Sequence, residues 1–192
     1  MNKRSALITI PNILTFIRIF LIPVLFLLIK NNQQEAAFYL LIGMGFTDLL
    51  DGFIARTFNQ MSKLGSYLDP IADKLLTTSL FITLTLYNHI PLWLTIIVIG
   101  RDVIIAVGLF VIFLPQKFPV VSPSYLGKFT TFAQAITLII SISSGIRYFN
   151  SVLSSFFMPS VYITALFTIV SLIQYIHRGI VMLEDRRMTD KS

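Results

Sequence analysis

Six apolar runs, each long enough to cross a bilayer, take up most of this chain. A hydrocarbon core of about 30 Å asks for roughly 17 to 25 apolar residues per helix. Cutting the sequence at its polar and proline punctuation gives Leu14 to Ile29, Ala36 to Ala55, Tyr67 to Tyr87, Leu92 to Leu114, Leu126 to Ile146 and Ser155 to Ile176. Only 12% of the residues are charged, against about a quarter in a soluble domain, which excludes a water-exposed surface all round. The same scarcity excludes a disordered chain, and the lack of cysteine excludes a disulfide-stapled module or a cysteine-ligated metal centre. The expected fold class is all-α, a six-transmembrane-helix polytopic protein forming one membrane domain over residues 1–192.

Six crossings put both termini on one side, and the basic residues choose which. Lys3, Arg4, Arg56, Lys63, Lys117, Lys128, Arg178, Arg186, Arg187 and Lys191 fall on the side of the termini, and only Lys30 and Arg147 on the other. Both termini are therefore expected in the cytoplasm, and Arg18, Lys74 and Arg101 are left within the membrane or at its edge. Lys3-Arg4 is followed by Pro11-Asn12 and a full-length span, which reads as a first crossing and not as a cleavable leader. The net charge of +6 reads as topology and attraction to anionic headgroups, with no stripe for nucleic acid.

Four of the nine acidic residues, Asp48, Asp51, Asp69 and Asp73, fall within 26 positions at the expected cytoplasmic ends of the second and third spans. Charge at membrane depth is costly and marks sites, and carboxylates of one sign repel one another. Asp48 and Asp51 are three apart and Asp69 and Asp73 four apart, so each pair projects from one helix face. Two antiparallel helices joined by a short loop can bring the pairs to one point. Four such carboxylates suit hard, oxygen-loving cations, and two Mg²⁺ or Mn²⁺ ions are a common device for displacement at phosphorus. A salt-bridge lattice with Arg56, Lys63 and Lys74 is the plainer alternative. It leaves unexplained the small residues Gly52, Ala55 and Gly65, which keep the helix surface low where a phosphate or nucleotide approaches.

The run Asp48-Leu-Leu-Asp51-Gly52-Phe-Ile-Ala55-Arg56, then eight residues, Gly65, three residues, Asp69, three residues and Asp73 resembles the signature of the CDP-alcohol phosphatidyltransferase family at all its fixed positions. Ile10-Pro11-Asn12, Leu14-Thr15, Arg18, Asp69-Pro70-Ile71-Ala72-Asp73-Lys74 and Gly127-Lys128 extend the likeness over nearly the whole chain. The resemblance implies transfer of a phosphatidyl group from CDP-diacylglycerol to an alcohol with release of CMP. It implies Asp48, Asp51, Asp69 and Asp73 as ligands of two divalent ions, Mg²⁺ or Mn²⁺, with Asp73 also the general base. It places the CDP-lipid against Gly52, Ala55, Arg56, Ser62 and Gly65, and it suggests a homodimer in a bacterial inner membrane, with the active site facing the cytoplasm.

Two acceptors remain in play, glycerol 3-phosphate and phosphatidylglycerol. Users of glycerol 3-phosphate carry Arg-Glu in the fourth helix and a second Arg about two turns later. Here the helix reads Arg101-Asp102-Val103-Ile104-Ile105-Ala106-Val107-Gly108-Leu109-Phe110, which resembles the mitochondrial-type members with a lipid acceptor and favours phosphatidylglycerol. Arg101 and Lys128 are the candidate acceptor ligands. Each has a plainer reading, Arg101 as half of a self-neutralising pair with Asp102, and Lys128 as an interfacial anchor. Arg18 is expected to face the bundle interior, near the diphosphate or paired with an aspartate, and His89 to be a loop residue. A small metal or ion transporter is the rival from another class, and it predicts carboxylates near the bilayer midplane.

Overall fold

The computed structural model describes residues 10–57, 65–113, 125–146 and 150–189. Among the described residues six helices follow one another, α1 (Ile10–Lys30), α2 (Gln34–Thr57), α3 (Gly65–Leu86), α4 (Leu92–Phe113), α5 (Tyr125–Ser143) and α6 (Asn150–Thr189), and no strand occurs. The all-helical expectation is met, with one apolar run per helix. α6 outruns its apolar segment at both ends and continues through His177-Arg178 for 40 residues in all. Loss of hydropathy ends a membrane span but does not end a helix when no proline follows.

Among the described residues, three helical stretches are long and apolar enough to cross a membrane: Asn12–Lys30 with mean hydropathy 2.4, Tyr125–Ser143 with 1.3 and Leu153–Val181 with 2.0. α2, α3 and α4 have 24, 22 and 22 residues, which at about 1.5 Å per residue reach roughly 33 to 36 Å. α2 and α3 carry their polarity at one end, Asp48 to Arg56 late in α2 and Asp69 to Lys74 early in α3.

Two tight turns close the opposite end. α1 stops at a left-handed residue, Asn32 with φ 55°, whose N–H donates to the Ile29 carbonyl at 3.1 Å while the Gln33 N–H reaches Leu28 at 2.9 Å. α3 stops the same way at Asn88, φ 58°, with Asn88 N–H to Thr85 O at 3.1 Å and His89 N–H to Leu84 O at 2.7 Å. Both are Schellman endings, and asparagine is among the few side chains that adopt this conformation at small cost.

α1 packs on α2 and on α3, α5 packs on α6, and α4 packs on α6 and α3. The apolar core joins Leu25 and Ile29 of α1 to Leu80, Phe81 and Leu84 of α3, Leu94 and Val98 of α4 and Ile142 of α5. The α5–α6 contact is a seam of small hydroxyls. Thr137 bonds the Thr164 hydroxyl at 2.8 Å and the Ser160 carbonyl at 3.1 Å, and Thr130 bonds the Phe167 carbonyl at 3.0 Å. Small polar residues let helices approach closely where lipid gives no hydrophobic incentive to associate. Phe20, Tyr39, Phe132 and Tyr162 point outward, as lipid-facing side chains do.

Candidate functional site

The site begins on α1. Its buried face is polar at one end, with Asn12, Thr15 and Arg18, and apolar at the other, with Leu25 and Ile29. Residues three apart share a helix face, so the first three form one stripe on an otherwise apolar helix. Arg18 is 1% exposed, and a guanidinium so enclosed requires carboxylate partners.

α2 and α3 supply them. A single Arg18 nitrogen lies 2.5 Å from Asp48 Oδ1 and 2.9 Å from Asp73 Oδ1. One turn back along α1, the Thr15 hydroxyl donates to Asp69 Oδ1 at 2.6 Å. Three of the four aspartates thus line up on one stripe of α1, although they come from different helices. The spacing of the aspartates predicts a site between the second and third helices. Among the described residues α2 and α3 each pack on α1 and not on one another, so α1 is the element that brings the carboxylates together. Asp48 and Asp73 keep 40% and 55% of their side chains exposed, leaving the cluster open on one side. Beside it, Leu14, Ile17, Leu21, Leu40, Met44 and Thr47 line a cavity of about 250 Å³ with Arg18 in its wall.

Asp51, Gly52, Ala55 and Arg56 occupy the last turns of α2, but their side chains lie outside the described residues, as Ser62 does entirely. Gly65 opens α3 and is buried. Carboxylate oxygens are the right donors for a hard divalent ion. Among the described residues, which leave out the Asp51 side chain, no three histidine, cysteine or acidic side chains converge closely enough to ligate one.

A second charged cluster crosses from α3 to α6. Lys74, next to Asp73, pairs with Asp102 Oδ2 of α4, while Asp102 Oδ1 takes Arg101 at 3.0 Å. Arg101 also donates to Ser171 Oγ at 2.8 Å and stands 5.4 Å from the centre of the Tyr175 ring. The Arg101–Asp102 pair of the plainer reading is present, and Lys74 joins it as a third member that no local spacing marks. Lys128 is exposed in the first turn of α5 and sits 5.9 Å over the Tyr125 ring, with no bond among the described residues to the aspartates.

His89 is more than a loop residue. Its ring contacts Gln34 Nε2 at 3.0 Å and its carbonyl accepts from Ser141 at 3.3 Å, joining the α3–α4 turn to α2 and α5. Burial holds its imidazole below the ordinary histidine pKa. A Cβ on Gly145 would stand 2.5 Å from Gln34 Cδ, so only glycine leaves room for this contact. These positions are close in space but scattered in sequence, and no motif marks them.

An open carboxylate cluster gathered on a buried arginine in a helical membrane protein agrees with the sequence profile of the CDP-alcohol phosphatidyltransferase family, which matches residues 8–176. The chain belongs to that family. Among individual relatives, it is 37% identical to the cardiolipin synthase (CMP-forming) of Rattus norvegicus over 89% of this chain and 61% of that protein. It is 34% identical to the protein of the same name from Streptomyces coelicolor, over 68% of this chain and 63% of that protein. The CDP-diacylglycerol–glycerol-3-phosphate 3-phosphatidyltransferase of Aquifex aeolicus is 31% identical over 68% of this chain and 73% of that protein. The chain spans about three fifths of the length of the rat relative and of its human counterpart.

Proposed function

We propose that the chain is a CMP-forming cardiolipin synthase, transferring the phosphatidyl group of CDP-diacylglycerol to phosphatidylglycerol. The observation that carries the proposal is the sharing of Arg18 by Asp48 and Asp73, which gathers carboxylates of two helices at one partly open point in a chain of this family. The acceptor hydroxyl attacks the phosphorus of the phosphatidyl group, the bond to the CMP oxygen breaks, and the hydroxyl proton passes to the Asp73 carboxylate. Asp48, Asp51, Asp69 and Asp73 would hold two Mg²⁺ or Mn²⁺ ions. When bound, these ions supply charge neutralisation at the diphosphate and at the departing CMP. Arg56 grips the diphosphate with its planar fork against the low surface made by Gly52, Ala55 and Gly65, with Ser62 beside the nucleotide. Arg18 and Thr15 hold three of the carboxylates in place.

In this reading residues 1–192 are one membrane domain of six spans with both termini cytoplasmic, working as a homodimer in a bacterial inner membrane with the site facing the cytoplasm. The charge distribution supports that topology. The relatives with lipid acceptors and the absence of a second arginine in α4 support phosphatidylglycerol, while the Aquifex relative keeps glycerol 3-phosphate as the alternative acceptor. Carboxylates at the ends of two helices, away from the midplane, weigh against a transporter.

The test is purified protein with CDP-diacylglycerol, Mg²⁺ or Mn²⁺, and each acceptor offered separately while CMP and lipid products are followed. Release of CMP with phosphatidylglycerol, abolished by a chelator and restored by excess metal, is expected. No CMP with any alcohol refutes the enzyme reading, and turnover with glycerol 3-phosphate alone reverses the acceptors.

A further inference from the structure

The cavity beside Arg18 has no part in the transfer as described so far. Its walls run from Leu14 to Leu21 on α1 and from Tyr39 to Thr47 on α2, about 10 to 12 Å at the rise of a helix. One end lies at the carboxylates, because Thr47 precedes Asp48 in the chain and Arg18, in the wall, pairs with Asp48 and Asp73. From there the cavity leads away from the turns of α2 that carry Gly52 to Arg56. Ile17 and Tyr39 in its walls are exposed, so it opens sideways, as a crevice between the two helices. Its polar groups are few. The Arg18 charge is met by carboxylates, and the Thr47 hydroxyl donates to the Met44 carbonyl at 2.8 Å.

Gly43 keeps the crevice open. A Cβ at this position would meet nothing within 4 Å, so a larger side chain would enter open space and not a packed neighbour. Gly45 is equally unobstructed but lies outside the lining. A crevice of about 250 Å³ is too small for a helix of a second copy, and its apolar walls suit a hydrocarbon chain. Two lipids bring such chains to the site, and covalent structure favours one of them. In CDP-diacylglycerol the first acyl carbon is five bonds from the reacting phosphorus, about 6 Å at the reach of an extended chain. Gly43 precedes Asp48 by five residues, about 7.5 Å along the helix. The acyl carbons of phosphatidylglycerol are twice as many bonds from its reacting hydroxyl, so nothing obliges them to pass here.

We infer that the α1–α2 crevice seats one acyl chain of CDP-diacylglycerol, and that Gly43 is a specificity-determining residue because it leaves room for that chain. The inference rests on the proposed reading that places the reacting phosphorus at these carboxylates. Surrounding lipid tails are as apolar as the crevice, so seating the chain gains little from leaving them. Its use is positional. A chain held between α1 and α2 steadies the phosphorus it hangs from, and a misplacement of about 1 Å can cost about a hundredfold in rate.

The test compares Gly43→Leu with Gly45→Leu in the full-length protein. The readouts are kcat/KM for CDP-dioleoylglycerol, the inhibition constant of CDP-glycerol, which has the nucleotide and no chain, and the KM for phosphatidylglycerol. A change of a methylene or more in an apolar pocket shifts kcat/KM by about tenfold to two-hundredfold, and the lower end applies where lipid competes with the pocket. Gly43→Leu is therefore expected to lower kcat/KM for CDP-dioleoylglycerol about tenfold, with the other two constants unchanged and Gly45→Leu like the wild type. Gly43→Ala, which adds one methyl group, should give an intermediate loss, and it carries the test if Gly43→Leu does not assemble. An unchanged kcat/KM, meaning that only bulk lipid fills the crevice, overturns the inference. So does an equal loss in Gly45→Leu, a weakened inhibition constant for CDP-glycerol, or an effect confined to the KM for phosphatidylglycerol, which makes the acceptor the occupant. Failure of the wild type to release CMP with either alcohol refutes the transfer reading beneath it.

Discussion

Replacing Arg18 with methionine removes the cation that Asp48 and Asp73 share while keeping an unbranched side chain of similar reach. The two carboxylate oxygens sit 2.5 and 2.9 Å from one nitrogen, so without it they face one another across a short gap. Unit charges about 4 Å apart interact by about 4 kcal/mol at an effective dielectric of 20, and cutting one partner from a buried pair costs about 3–5 kcal/mol. The carboxylates are 40% and 55% exposed, and exposed pairs contribute no more than about 1 kcal/mol. A discounted figure of about 1–2 kcal/mol per pair is appropriate, or about 2–4 kcal/mol for Arg18→Met. At about 2–4 °C per kcal/mol for a chain of this length, the unfolding midpoint in detergent, followed by far-ultraviolet circular dichroism, should fall by about 4–16 °C. Combining Arg18→Met with Asp73→Asn isolates the pair. The double variant should be at least about 1 kcal/mol more stable than the sum of the single losses predicts. Strict additivity, or an Arg18→Met midpoint equal to the wild type's, would refute the claim that α1 holds the carboxylates together.

Four further outcomes follow from the geometry. Asp73→Asn should lower transfer by about a hundredfold or more while leaving an assembled protein, as judged by CMP release and size-exclusion chromatography. Thr15→Val removes the 2.6 Å bond to Asp69; losing about 1 kcal/mol of positioning should lower kcat about fivefold. Gly145→Ala pushes Gln34 off His89 and should cost about 1 kcal/mol of stability, read as a midpoint about 2–4 °C lower, with activity little changed. Because burial holds the His89 imidazole below its ordinary value of 6.5, the folded protein binds this proton less readily than the unfolded chain. The His89 contribution is therefore fully present above pH 6.5 and lost as pH falls below it. A His89→Gln variant should show a flatter midpoint between pH 7 and pH 5 than the wild type, using about the same assay window as other histidine switches.

The helices and the aspartates were legible because their signals are local. Apolar runs of bilayer length, Asn31-Asn32 and Asn88 at the turns, and the three- and four-residue spacing of the carboxylates are all read within a few turns of chain. The partners of those carboxylates were less legible. Arg18 could be assigned to the interior from the cost of exposing it to lipid, but the choice of Asp48 and Asp73 over other acids depends on α1 lying against both α2 and α3. The stripe of Asn12, Thr15 and Arg18 was a usable clue, polar groups at a three-residue interval in an apolar span. Lys74 shows the limit. It sits beside the tetrad in sequence, yet one residue turns a helix by about 100°, so Asp73 meets α1 while Lys74 meets Asp102 of α4. His89 and Gln34, 55 residues apart, share no pattern that a linear reading can detect.

The buried arginine of α1 also sets an order of assembly. During synthesis α1 is made before α2 and α3, and its partners Asp48 and Asp73 follow Arg18 by 30 and 55 residues. Until those carboxylates are made, the Arg18 charge in an apolar segment carries a penalty of about 2.5–3.5 kcal/mol at a span's centre, less toward its end. The mean hydropathy of 2.4 over Asn12–Lys30 offsets that penalty and lets the segment enter the bilayer alone. It enters with an unmet need that α2 and α3 satisfy, so Asp48 and Asp73 serve as the docking signal that completes the nascent bundle.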